Sequence, residues 1–168
     1  MHPTHTVADC HLNGAPIAIN NWTNMTRDQL AQVVGNQQPG EALEKSEYYA
    51  WETGWIPLAQ LLHASQDGDI PEGGWGAAYE RHLESDRQAV ADGSPEYAGR
   101  DEWIRHVWLP ETRIYPLYLV HELEGGASGK PRLRLLDGHR RLAGAFYYPF
   151  NDRVFAVVGS PLMAPPTA

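Results

Sequence analysis

Hydrophobic and polar positions change their period along the chain, and each change predicts an element. Trp75, Tyr79, His82, Leu83, Asp86 and Val90 recur at helical spacing. They predict a helix over residues 75 to 91, with Asp86 at the edge of its apolar stripe. Trp103, Ile104, Val107 and Trp108 form a compact i, i+1, i+4, i+5 face of another helix, which Pro110 ends. His106, between those tryptophans, reads as packed at the core edge. The period then shortens. "RIYPLYLVHEL" (residues 113 to 123) and "RVFAVVG" (153 to 159) are rich in β-branched and aromatic residues and predict strands. "RLRLLD" (132 to 137) alternates Arg and Leu before becoming apolar, as a strand does on entering a core. Helical spacing returns over His139 to Tyr147, with Leu142, Ala143 and Phe146 on the inner face.

The first half is less regular. "PIAIN" (16 to 20) predicts a short strand, and Thr26 with Gln29 makes a capping box for a helix reaching Val34, stopped by Gly35. A second helix is expected over 41 to 52, then a short strand "WIPL" (55 to 58) and one or two helical turns in "AQLLHA". Residues 65 to 76 are loop by composition, and "EGGASGKP" (124 to 131) is a flexible connection. The fold class expected is α+β, a small mixed sheet flanked by helices.

With 168 residues, 42% of them hydrophobic, the chain is long enough for one domain with a sizeable core. No apolar run approaches the roughly 18 residues of a membrane span, and no secretory signal pattern opens the chain. A single cysteine, Cys10, excludes an internal disulfide, so a cytoplasmic location is the expectation. The formal net charge of -8 argues against a whole-surface nucleic-acid binder. Residues 113 to 168 nevertheless hold seven Lys or Arg against four Asp or Glu, a formal +3, which leaves -11 for residues 1 to 112. A basic third on an acidic body suits a small anionic ligand or nucleotide better than a long duplex. Nucleic acid is a disfavoured partner and a membrane is not expected.

The junction at residues 137 to 141, Asp-Gly-His-Arg-Arg, holds the densest candidate chemistry. A helix opening here presents unpaired N–H groups and the positive end of its dipole to an anion. Gly138 permits a tight turn and close backbone approach. Arg140 and Arg141 suit bidentate contacts to phosphate. Asp137 is placed to hold a metal or accept a proton, and His139 to donate to phosphate or move a proton near neutral pH. Read from the residues alone, the same positions also suit a helix cap at Asp137, solvated arginines and a histidine packed on the sheet.

"LRLLDGHRRLAGAF" followed by "RVFAVVG" resembles the ParB/sulfiredoxin superfamily, in which a strand, a D-G-H-[HR]-R or related turn, an arginine-opened helix and a closing strand follow one another. "WIPLAQL" and "YPLYLV" look like its opening strand and its "P-I-x-V" strand. The resemblance covers roughly residues 55 to 159 and is specific in 131 to 159. It implies a ParB/sulfiredoxin-like domain over 55 to 160 with a helical insertion at about 65 to 110. Residues 1 to 54 would then be an N-terminal extension with short helices, and 161 to 168 a tail. In the superfamily this turn holds nucleotide phosphates: ParB proteins carry G-E-R-R and bind CTP, sulfiredoxins carry G-C-H-R and use ATP, and free-serine kinases carry D-G-H-H-R. By position, Gly138, His139, Arg140 and Arg141 match the nucleotide-binding turn, and Asp137 matches the kinase-type acid. His139 stands where sulfiredoxins have their catalytic cysteine, and Arg140 replaces the second histidine of the kinase turn.

The resemblance thus implies an enzyme that hydrolyses or transfers the terminal phosphate of a nucleoside triphosphate, a small-molecule kinase or NTPase. Asp137 and His139 would be its catalytic residues, with Mg²⁺ on Asp137. Two alternatives stand beside it: a ParB-like nuclease acting on DNA or RNA, and a non-catalytic binding or toxin-associated module. Elsewhere, His2, His5, Cys10 and His11 match no firm zinc spacing. His121 reads as a solvated strand end, Lys130 as a cation within reach of an anion, and Glu80, Glu84 and Asp86 as solvated acids.

Overall fold

The computed structural model describes residues 11–12, 15–16, 20–26, 28, 49–66, 69–122 and 132–161. The fold is α+β, with helices against one face of a mixed sheet. The strands are β1 (His11–Leu12), β2 (Ala15–Pro16), β3 (Asn20–Met25), β4 (Tyr49–Pro57), β5 (Leu117–Glu122), β6 (Arg132–Asp137) and β7 (Arg153–Pro161). The first two form a small antiparallel ribbon, and the other five a sheet of order β3-β4-β7-β5-β6. Every neighbouring pair in that sheet is antiparallel except β5 with β7. Ser65 runs along the outer side of β6, its N–H donating to the Leu133 carbonyl at 2.9 Å and its carbonyl accepting from the Leu135 N–H at 3.0 Å.

Three helical elements bear on the site: α1 (Trp75–Ala91), α2 (Arg100–Trp103) and α3 (His139–Tyr147). The α1 and α3 bounds are those that the periodicity predicts. Helix α2 runs directly into a wide π turn over Ile104–Trp108, where the Leu109 N–H reaches the Ile104 carbonyl at 2.8 Å. That i→i+5 bond shifts the face that follows. Ile104, Trp108 and Leu109 are buried, whereas Val107 and His106 are exposed, which corrects the expectation that both belong to the core side.

The helical expectation over 41 to 52 is also corrected. Residues 41 to 48 lie outside the described residues, but Tyr49 to Glu52 begin β4. Aromatic and β-branched side chains at Tyr49, Trp51, Thr53 and Trp55 follow a period of two, and β4 pairs with β7 at all nine of its positions, from Tyr49↔Pro161 to Pro57↔Arg153. A domain boundary at residue 54 falls inside this strand. The strand expected from Arg113 starts at Leu117, because the chain is in turns up to Pro116. The helix expected over 26 to 34 lies almost wholly outside the described residues, and so does the connection containing Lys130.

The main core lies between sheet and helices, where Ile56, Leu119, Leu135 and Val158 meet Trp75, Tyr79, Trp108 and Leu142. A second cluster, Trp51, Tyr118, Val120 and Val157, occupies the opposite sheet face. Asp101 ties the helices together: its Oδ1 accepts from the Tyr79 hydroxyl at 2.6 Å and the Tyr148 hydroxyl at 2.9 Å, and its Oδ2 lies 3.1 Å from Arg105. Burial and that carboxylate push the Tyr148 phenol up to about 12 and raise Tyr79 as well. Among the described residues no helix is long and apolar enough to cross a membrane.

Candidate functional site

The site grows from the end of β6. Tyr118 pairs with Asp137 while Leu119 pairs with Leu135, so Leu136 is an extra residue, a bulge one step before the turn. Gly138 follows in the left-handed conformation, with φ 105°. A Cβ here would stand 2.6 Å from Leu117 Cδ2 and 3.1 Å from an Arg141 nitrogen, so conformation and close approach both require glycine. The first intrahelical bond of α3 runs from the Leu142 N–H to the Gly138 carbonyl at 2.8 Å. The N–H groups of His139, Arg140 and Arg141 therefore head the helix, and no side chain among the described residues caps it.

The two arginines are held differently. Arg141 is buried; its Nη1 donates to the carbonyls of Tyr115 and of Pro116 (3.1 Å for the latter), and its Nη2 to Asp137 Oδ2 at 3.2 Å. Its guanidinium carbon also lies 5.8 Å from the centre of the Trp108 ring. Burial pulls its pKa down and Asp137 opposes that; a guanidinium stays charged in either case. Arg140 projects to the other side and grips both oxygens of Asp86 on α1, at 2.5 and 3.1 Å. Arg100 approaches the same carboxylate at 3.9 Å. Asp86 is thus buried and paired, which corrects its reading as a solvated acid; Glu80 and Glu84 are exposed, as expected. His139 is half-buried, its ring 6.4 Å from that of Trp75.

All five predicted residues, Asp137 to Arg141, line one cleft of about 680 Å³. The opposite wall is Glu96, Gly99, Arg100, Trp103 and Ile104. Its lining thus includes three arginines, two acids and the indole of Trp103. Sequence reasoning missed this second wall. Trp103 reads as core from its spacing, and Arg100 carries no local signal, because only the fold brings residues 96 to 104 across from the turn.

His121 does not join the cleft. It is buried on β5, only 2% exposed, and pairs with Leu133 on β6, which corrects its reading as a solvated strand end. Neither ring nitrogen has a hydrogen-bond partner among the described residues, and burial lowers its pKa to about 4. His2, His5 and Cys10 lie outside the described residues, as do the side chain of His11 and all of Lys130.

Among the described residues no group of three or more His, Cys, Asp and Glu is arranged to hold a metal ion. Only Oδ2 of Asp137 carries a hydrogen bond from a described residue. A single part-exposed carboxylate fits a Mg²⁺ that arrives on phosphates and keeps most of its waters, and does not fit a caged structural ion.

The sequence matches no family model, no curated protein and no solved structure.

Proposed function

We propose that the chain binds a nucleoside triphosphate in this cleft and hydrolyses or transfers its terminal phosphate. The observation that carries the reading is the Gly138 turn, which opens the uncapped head of α3 onto a cleft lined by Arg100, Arg140 and Arg141. Backbone N–H groups at a helix head and guanidinium groups are both common protein ligands of phosphate, and here they converge. The resemblance of the turn to that of the ParB/sulfiredoxin superfamily supports the same reading. A volume of about 680 Å³ accommodates a nucleotide.

In this reading the N–H groups of residues 139 to 141 hold the phosphate chain, and Arg100 and Arg140 neutralise it. Arg141 holds Asp137 and the carbonyls of residues 115 and 116, fixing the turn from beneath. Asp137 would hold the Mg²⁺ carried in by the nucleotide, whose charge would neutralise the phosphate oxygens, or would act as the base. As the base it takes the proton of the attacking water or acceptor hydroxyl as that oxygen bonds to the γ-phosphorus. The bond to the bridging oxygen breaks, and the nucleoside diphosphate leaves with the electron pair. His139 stands beside the phosphates as a proton donor.

The test is thermal unfolding with ATP, CTP, GTP or UTP, each with and without Mg²⁺, followed by assay of released or transferred phosphate. A ligand that binds only the native state raises the melting temperature. The expected result is a rise with at least one nucleotide, reduced in Arg100→Ala. Arg100 is exposed, so its removal is expected to disturb the fold less than Arg141→Ala, which would also take away the group that holds the turn. No shift with any nucleotide at millimolar concentration sinks the proposal.

A further inference from the structure

A second group of cations and rings stands away from the cleft, on the sheet face opposite the helices. Trp55 on β4 and Phe155 on β7 are directly paired in the sheet. Their neighbours Ile56, Val154 and Ala156 point into the helix-side core, so by strand alternation the two rings point the other way. The rings meet edge to face, 5.3 Å apart at 70°. The Arg113 guanidinium lies 5.3 Å from the centre of the Trp55 ring and 5.4 Å from that of Phe155. Arg153, two residues before Phe155 on the same face, lies 4.6 Å from Trp55. Thr112 fixes the Arg113 loop to the sheet by accepting the Phe155 N–H at 3.2 Å.

Both arginines are exposed and both rings half-buried. Among the described residues, no carboxylate lies within ion-pair distance of either guanidinium. The nearest acids in sequence are Glu111, which accepts the Arg113 backbone N–H at 3.3 Å, and Asp152, which is exposed. By contrast Arg140 and Arg141, at the cleft, are both paired with carboxylates. These two cations also begin and end the basic Lys and Arg series of residues 113 to 168.

Aromatic rings on a sheet face, flanked by arginines without acidic partners, meet a ligand that alternates flat rings with phosphates. A free phosphate uses the cations and leaves the rings idle. A duplex satisfies the cations but keeps its base faces stacked inside. A single strand satisfies both: its bases stack on aromatic rings or guanidinium planes while its phosphates meet the charge. We propose that Trp55, Phe155, Arg113 and Arg153 form a binding platform for single-stranded nucleic acid. It is separate from the cleft and does not depend on the nucleotide reading of that cleft.

The experiment titrates the full chain into labelled oligo(dT) and oligo(rU) of about ten nucleotides, followed by fluorescence anisotropy at about 50 and about 200 mM salt. Binding to one or both strands, weakening with salt, is expected. In the Arg113→Ala/Arg153→Ala double variant the slope of log K against log salt should become shallower by about 1.4, at roughly 0.7 per lost phosphate contact. Phe155→Leu should lose at least about fivefold in affinity. Thermal unfolding verifies that each variant is folded; because both arginines are exposed, the double variant decides the matter even if Phe155→Leu does not fold. A preference between the two oligonucleotides names the strand that the platform takes. No binding at low salt, unchanged affinity in the double variant, or equal binding of a matched duplex overturns the proposal.

Discussion

Arg140 and Asp86, 54 residues apart, form a two-pronged ion pair that ties the head of α3 to the middle of α1. The pair is largely buried, with the Asp86 side chain 10% and the Arg140 side chain 25% exposed. It also lies at the rim of the cleft, since Arg140 lines it. Asp86 therefore does two things at once: it braces the helices, and it competes with any anion for Arg140.

The competition gives a prediction with two opposite signs. Asp86→Ala should lower stability by about 2 to 4 kcal/mol, somewhat less than for breaking a fully buried pair. It should simultaneously raise the affinity of the folded protein for tripolyphosphate, because Arg140 and Arg100 are released toward the cleft. Chemical denaturation and calorimetric titration measure the two effects. Reduced stability without tighter anion binding would mean that Arg140 serves only the fold.

What was legible in the sequence follows the range of the forces involved. Helices α1 and α3 were legible because their apolar stripes are local and long, and β6 because its alternation is. The turn at Gly138 was legible because a tight strand-to-helix junction needs a glycine wherever it occurs. The start of β4 was not, because Tyr49 to Glu52 are held in a strand by pairing with β7, more than a hundred residues away. The same holds for the site. Residues 137 to 141 are contiguous and could be read together, whereas Arg100 and Trp103 reach the cleft, and Asp86 reaches Arg140, only through packing. The roles within the turn were hidden for the same reason: Arg141 turns inward because two carbonyls, of Tyr115 and Pro116, are presented to it by a distant segment.

Gly144 makes a second prediction. It sits in the middle of α3, where glycine costs about 1 kcal/mol relative to alanine in an ordinary helix. A Cβ there would meet Ile104 Cγ2 at 2.8 Å and Tyr79 Cε2 at 3.1 Å. The close approach of α3 to α1 and to the wide turn thus depends on a missing side chain. Gly144→Ala should be net destabilising by about 1 to 2 kcal/mol, with overpacking outweighing the gain in helix propensity. A rise in melting temperature would show that Ile104 and Tyr79 give way without strain.

His121 makes the last. It is buried on β5 with no partner among the described residues for either ring nitrogen, and burial holds its pKa at about 4 in the fold, against about 6.5 in the unfolded chain. The fold therefore requires the neutral ring. Above pH 6.5 both states are neutral and the histidine leaves stability independent of pH. As the pH falls from 6.5 toward 4, the unfolded chain takes up the proton first, and stability falls with each step. The full difference amounts to about 3 kcal/mol. His121→Leu keeps the volume and removes the titration, so the loss of stability between pH 7 and pH 4 should be smaller in the variant than in the parent by about that amount. Urea unfolding of both proteins at the two pH values gives the comparison directly. Identical acid sensitivity in parent and variant would mean that His121 finds a proton acceptor or water in the folded state, and that its burial in β5 is not what makes the fold acid-labile.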